Sequence, residues 1–172
     1  MANAPRTGTI RSGKTRTAGK AAVRGRCLCG AVTVEIGHPA RWAWHDHSER
    51  SRHAHGAAYA TYVGSWRSRF RIVSGEEEIT RYQDKQQRWT RSFCARCGTP
   101  LFYERARSPK IINIPRSNFA TRTGREPRYH MHLTEQADWT WQGEKLSPLK
   151  GYPGVMWVPP GRRRKPPPDD VI

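Results

Sequence analysis

Four cysteines fall as two close pairs, Cys27-Leu28-Cys29 and Cys94-Ala95-Arg96-Cys97, and each pair is followed directly by glycine, Gly30 and Gly98. Two short-spaced pairs separated by a long insert build a tetrahedral thiolate site for zinc, each pair bending a knuckle around one side of the ion. Glycine fits after such a knuckle, because amides that turn toward sulfur often need φ above zero. The competing chemistry is a pair of disulfides. A bridge across one intervening residue would be strained, and the N-terminus lacks the apolar block of a secretory signal. The pairs therefore point to one structural Zn2+ on Cys27, Cys29, Cys94 and Cys97.

A second concentration of reactive side chains comprises His45, Asp46, His47, Glu49, His53 and His55. Two imidazoles and a carboxylate can hold Zn2+, Fe2+ or Mn2+ with coordination positions left open. In an extended stretch His45 and His47 share a face while Asp46 points the other way, which spoils a simple chelate. If a turn of helix follows, His47, Ser51 and His55 fall on one face at four-residue spacing. The alternative is a set of polar, partly exposed histidines that bind nothing.

The elements that must position these groups are mostly strands. Residues 31–36 alternate and are rich in branched side chains, and leave the first knuckle as a strand. Residues 57–63, 70–73, 101–104 and 110–114 read the same way, and residues 78–82 and 88–93 pair across the polar turn at Gln83–Gln87. Residues 115–119 suit one helical turn, and no long 3.6-residue period is present. Many short strands punctuated by Gly and Pro argue for an all-β, or at least β-rich, domain. Trp42, Trp44, Trp66, Trp89, Tyr59 and Tyr62 belong to its core or to the lining of a pocket.

Composition sets the outer limits. The chain has 172 residues and a formal net charge of +17. The first 26 residues carry seven basic side chains and no acid, with almost nothing to bury, so a disordered arm is expected there. Residues 162–165 are Arg-Arg-Arg-Lys, followed by three prolines and two aspartates, which reads as a tail. The expected organisation is a basic arm over 1–23, a zinc-binding β domain over 24–150 and a Pro/Arg-rich tail over 151–172. No apolar run approaches membrane-spanning length, and reduced cysteines point to a cytoplasmic setting.

The segments Gly25-Arg26-Cys27-Leu28-Cys29-Gly30-Ala31-Val32 and Phe93-Cys94-Ala95-Arg96-Cys97-Gly98-Thr99-Pro100-Leu101 resemble the glutathione-dependent formaldehyde-activating (GFA) family, also called the CENP-V/GFA domain. The likeness continues through His53-Ala54-His55-Gly56-Ala57-Ala58-Tyr59, Ser74-Gly75-Glu76, His130 and Trp139. It implies an Mss4-like β fold around a structural zinc, with Cys27, Cys29, Cys94 and Cys97 as ligands. It also implies carbon–sulfur lyase activity on glutathione–formaldehyde adducts, run by a second, catalytic zinc.

At that second metal the chain departs from the pattern. The family motif Cys-His-Cys-x-x-Cys-Arg falls on Asp46-His47-Ser48-Glu49-Arg50-Ser51-Arg52, so that His47 and Arg52 are kept while Asp46, Ser48 and Ser51 replace three cysteines. A neutral hydroxyl is a poor ligand for a borderline-soft ion, so zinc is not expected there. On this reading Ser48→Ala is nearly neutral. Arg26 and Arg52 match the carboxylates of a glutathione-like tripeptide, or, with Arg96, balance the charge of the thiolates. His130 is expected to pack or hydrogen-bond near the pocket. Two functions follow: a small-molecule binder or altered lyase acting on a glutathione conjugate, or a non-catalytic zinc-stabilised β module. In the second, the basic arms hold nucleic acid or another polyanion weakly and without sequence preference.

Overall fold

The computed structural model describes residues 21–86, 88–140, 146–157 and 159. Twelve strands and one α-helix occur among them: β1 (Ala22–Arg26), β2 (Thr33–Gly37), β3 (Trp42–Asp46), α1 (Glu49–His55), β4 (Ala60–Trp66), β5 (Phe70–Ser74), β6 (Ile79–Asp84), β7 (Trp89–Cys94), β8 (Pro100–Arg105), β9 (Ile111–Pro115), β10 (Tyr129–Met131), β11 (Ser147–Pro148) and β12 (Met156–Trp157). The β-rich expectation holds. The hairpin read at the polar turn is present as β6 and β7, paired antiparallel from Ile79↔Cys94 to Asp84↔Trp89.

The strands form two sheets, a small one ordered β1-β2-β5 and a large one ordered β11-β12-β10-β3-β4-β9-β8-β7-β6. Alternation gives the large sheet two unlike faces. Ala43, Val63, Phe102, Ile112 and Ile114 join Val34 and Ile36 of the small sheet in the main core. Each fully buried aliphatic side chain there contributes about 1.5–3 kcal/mol. Trp44, Tyr62, Trp89 and Tyr103 form a second, aromatic cluster. Trp44 and Tyr62 sit opposite each other on β3 and β4, and Tyr62 meets Tyr103 edge-on at 5.0 Å.

β1 begins at Ala22, inside the stretch read as arm, because Val23 packs on the core and the strand pairs with β2 along its whole length. β12 lies past residue 150 and pairs with β10 and β11. The rest of the arm, residues 1–20, and of the tail, residues 160–172, lies outside the described residues.

Three elements near the chemistry-bearing segment were not read from sequence. β3 carries His45 and Asp46, β10 pairs parallel to it with His130 opposite His45, and α1 follows directly. The helix has local causes. Ser48 caps it by accepting from the Ser51 amide, Glu49 sits in its first turn, and Gly56 closes it at φ 57°. Seven residues are too few to display a helical period, so only the caps announce it.

Candidate functional site

The two cysteine knuckles are built as local motifs and brought together by the sheets. In the first, the Gly30 amide donates to Cys27 O and Cys27 N donates to Val32 O; in the second, Gly98 N donates to Cys94 O and Cys94 N to Thr99 O. Gly30 and Gly98 have φ of 78° and 71°, as the turn toward sulfur requires. The β1–β2 hairpin delivers one knuckle and the β7–β8 connection delivers the other. A register shift between Ser92 and Phe93 lies directly before Cys94.

All four cysteines are free, and their sulfurs lie within 4.8 Å of one another. Cys27 Sγ is 3.5 Å from Cys29 Sγ, and Cys29 Sγ is 3.8 Å from Cys94 Sγ. A tetrahedral ion bound at about 2.3 Å separates its sulfurs by about 3.8 Å, so the unbridged cluster is compatible with a metal. Thr99, given no role of its own in the sequence reading, ties the knuckles together. Its hydroxyl accepts from Leu28 N at 3.1 Å and lies 3.1 Å from Cys97 Sγ.

The thiols share too little room to ionise independently. The Thr99 hydroxyl, with backbone amides, draws Cys97 down to about 5. Cys29 is pulled down by the Ala31 amide, yet sharing hydrogen bonds with Cys97 and Cys27 pushes it up to about 11. Burial opposes ionisation of Cys27, and the Val32 amide with the neighbouring sulfurs outweighs it. A divalent cation removes the conflict by letting every sulfur be thiolate.

The segment 46–52, where the sequence reading expects replaced ligands, is organised differently. Asp46, His47, Ser48 and Ser51 are buried, but their oxygens are engaged elsewhere. Asp46 Oδ1 accepts from Ser48 N at 3.0 Å and sits 3.1 Å from His132 Nδ1. Ser48 Oγ is the helix cap, and Ser51 Oγ is 3.4 Å from the Tyr62 hydroxyl. Among the described residues, the four cysteines alone form a group of three or more His, Cys, Asp or Glu donors close enough to share an ion.

The histidines divide between two places. His47 Nε2 is 2.9 Å from His130 Nδ1, and the His45 ring lies 4.6 Å from that of His130. His45 and His47 thus share a side, as extended geometry predicts, and His130 hydrogen-bonds there as expected. His47 is buried where partial exposure was anticipated, and His45 is partly exposed as expected; burial holds both at about 4, with neighbouring His130 adding to the effect. His55 and Ser51 converge instead on the Tyr62 hydroxyl, His55 Nε2 at 2.8 Å. The predicted row of His47, Ser51 and His55 fails because Ser48 is extended (ψ 143°), so helical spacing starts only after it. His53 is exposed and faces Glu49 across one helical turn.

Of the arginines singled out in the sequence, Arg96 pairs with Glu78 on the surface. Arg26 lines a cleft of about 570 Å³ beside Cys27. Arg52, on α1, has a buried Nε without a hydrogen-bond partner. Sequence reading missed Arg91, which reaches Tyr62 from β7. Among the aromatics, Trp44 and Trp89 are core, Tyr62 lines a cavity under α1, and Trp42, Trp66 and Tyr59 are each about a third exposed.

A family model for the glutathione-dependent formaldehyde-activating enzyme matches residues 22–135. Among solved structures, a crystal structure of a Rhodobacter sphaeroides protein is similar at 25% identity, covering 56% of this chain and 87% of its own, with a TM-score of 0.49. No curated protein matches the chain. No helix among the described residues is long and apolar enough to cross a membrane.

Proposed function

The chain belongs to the glutathione-dependent formaldehyde-activating enzyme family, and from that premise we propose that it is a zinc-clasped member of the Mss4-like type that has given up the family's metal-dependent lyase step. One structural Zn2+ would sit on Cys27, Cys29, Cys94 and Cys97. Its role would be to cross-link the β1–β2 hairpin to the β7–β8 connection, closing a long loop of chain. Four thiolates of this kind suit a reducing, cytoplasmic setting.

The observation that carries the reading is the fate of the oxygens at Asp46, Ser48 and Ser51. Each side chain makes an internal hydrogen bond, Asp46 Oδ1 with His132 and the Ser48 amide, Ser48 with the Ser51 amide, and Ser51 toward Tyr62. In the family that position holds the electrophile which engages the thiol of glutathione and of its formaldehyde adduct. Here it is a polar network that ties α1 to the sheet. The chain would keep the family's capacity to hold a small thiol or aldehyde adduct, such as a glutathione conjugate, without accelerating its formation or breakdown.

Elemental analysis of the purified full chain tests the proposal together with an NMR exchange assay of glutathione and formaldehyde. The expected result is one zinc per chain and an exchange rate equal to the uncatalysed one. Two tightly held metals, or a protein-dependent acceleration that survives one zinc per chain, would overturn it.

A further inference from the structure

A cavity of about 240 Å³ lies on the aromatic side of the large sheet, walled by α1 and by β4, β6, β7 and β8. Its lining holds one formal cation, Arg91, and no carboxylate. Arg91 Nη1 reaches the Tyr62 hydroxyl only at 3.5 Å, the outer limit of a hydrogen bond, and Nη2 is buried with no partner. The guanidinium rests against the rings of Tyr103 and Trp89, at 5.3 and 5.4 Å. Those rings hold it in place without neutralising it.

Nearby charges do not supply what Arg91 lacks. Asp84, on β6 next to β7, is paired with Arg50, and Asp46 is already engaged by His132 and the Ser48 amide. His55, on the α1 wall, is neutral at pH 7 and already joined to Tyr62. The remaining wall is mainly apolar and aromatic, with Tyr82, Phe93 and Tyr103 prominent. A buried cationic donor left without an acceptor is costly, and a planar carboxylate matches the guanidinium fork.

We propose that this cavity binds a small carboxylic acid with a planar apolar body, its carboxylate meeting Arg91 and the Tyr62 hydroxyl and its body lying among Tyr82, Phe93 and Tyr103. The volume is below the ~300–1,000 Å³ typical of pockets for drug-sized ligands, which restricts the occupant to a small molecule. An inorganic phosphate would meet a single cation in a mostly apolar wall, so the carboxylic acid is the better match in both charge and surface. The site goes beyond the zinc clasp and the lost lyase step, and its test is independent of both.

The test is titration of the zinc-loaded full chain with benzoate and with its neutral isostere benzamide, followed by calorimetry and by tryptophan fluorescence, since Trp89 touches Arg91. Benzoate should saturate, and benzamide should bind about tenfold more weakly or worse, equivalent to ~1.4 kcal/mol. Arg91→Gln should bring benzoate down to the benzamide level, while the surface control Arg122→Gln should bind as the unmodified chain does. Benzoate and benzamide binding alike, no saturation by benzoate, or a folded Arg91→Gln that binds benzoate normally would each overturn the proposal. If Arg91→Gln does not fold, the comparison of benzoate with benzamide on the unmodified chain decides. A second zinc or measurable lyase activity would leave this result untouched, so the two proposals fail separately.

Discussion

Ser48 changes meaning between sequence and structure. As a replaced ligand it is dispensable, and its truncation should be silent. As the N-cap of α1 it accepts the Ser51 amide from a buried position. Ser48→Ala should therefore lower stability by about 1 kcal/mol, read from the urea midpoint, while the zinc content stays at its normal value. An unchanged midpoint would show that the cap contributes nothing. Cys97→Ser should do the reverse, losing zinc and leaving the chain unfolded or aggregated, because three thiolates and a neutral hydroxyl hold the ion poorly. The cysteines were legible in the sequence because a knuckle is made from neighbours along the chain. Thr99 and Arg91 were not, since their partners Leu28 and Tyr62 lie far away in sequence and neighbour them only after the sheets assemble.

At the scale of elements, the connection from β5 to β6 is pinned against the first knuckle by Gly75. It has φ 76°, and a Cβ built there would lie 2.1 Å from the Ala31 carbonyl oxygen. Gly75→Ala must displace backbone and should cost more than ~2 kcal/mol, with faster loss of zinc to a chelator because Ala31 follows the knuckle. Gly151→Ala is the matched control. It has φ 82° with nothing within 4 Å, and should cost only the ~1–2 kcal/mol of left-handed strain. Equal effects at the two positions would show that the close approach is immaterial. Most strands near these sites were readable from alternation, including β2, β5 and the β6–β7 pair. β10, β11 and β12 have three, two and two residues, too short for any period to register. α1 entered the sequence reading only as a conditional turn through His47, Ser51 and His55, and its local signals are the caps Ser48 and Gly56 rather than the body.

Across the whole molecule, burial of imidazoles sets the acid sensitivity. His45, His47 and His55 are each pushed down to about 4, chiefly by burial, from an ordinary value of 6.5. Below about pH 6.5 the unfolded chain takes up these protons while the folded chain refuses them. Stability present above 6.5 is therefore lost as the pH falls toward 4. His132 has the opposite sign: its hydrogen bond to Asp46 raises it, giving stability that is full at low pH and lost as the pH rises through its folded value. Three against one leaves a net loss on acidification. Urea unfolding at pH 7, 5.5 and 4.5 should show stability falling, and His55→Gln should flatten the slope by up to ~1.4 kcal/mol per pH unit. Both chains lose zinc to acid alike, so the difference between their slopes isolates the imidazole. Parallel slopes would remove His55 from the account.

What the sequence determined by itself is what short-range chemistry encodes. The paired cysteines with their glycines specify two knuckles whose thiols can meet, alternation specifies strands, and the resemblance in motif register singles out Asp46, Ser48 and Ser51. Tertiary structure decided the rest, because it depends on which strands become neighbours. Parallel pairing of β10 with β3 puts His130 beside His45 and His47, and His132 against Asp46. The order β4-β9-β8-β7 carries Tyr62, Tyr103 and Arg91 onto one aromatic face under α1. No local pattern could have forecast that Arg91 would lie there beside a cavity without a counter-charge. The period of a strand tells which side a residue takes, and only the pairing of strands tells what waits on that side.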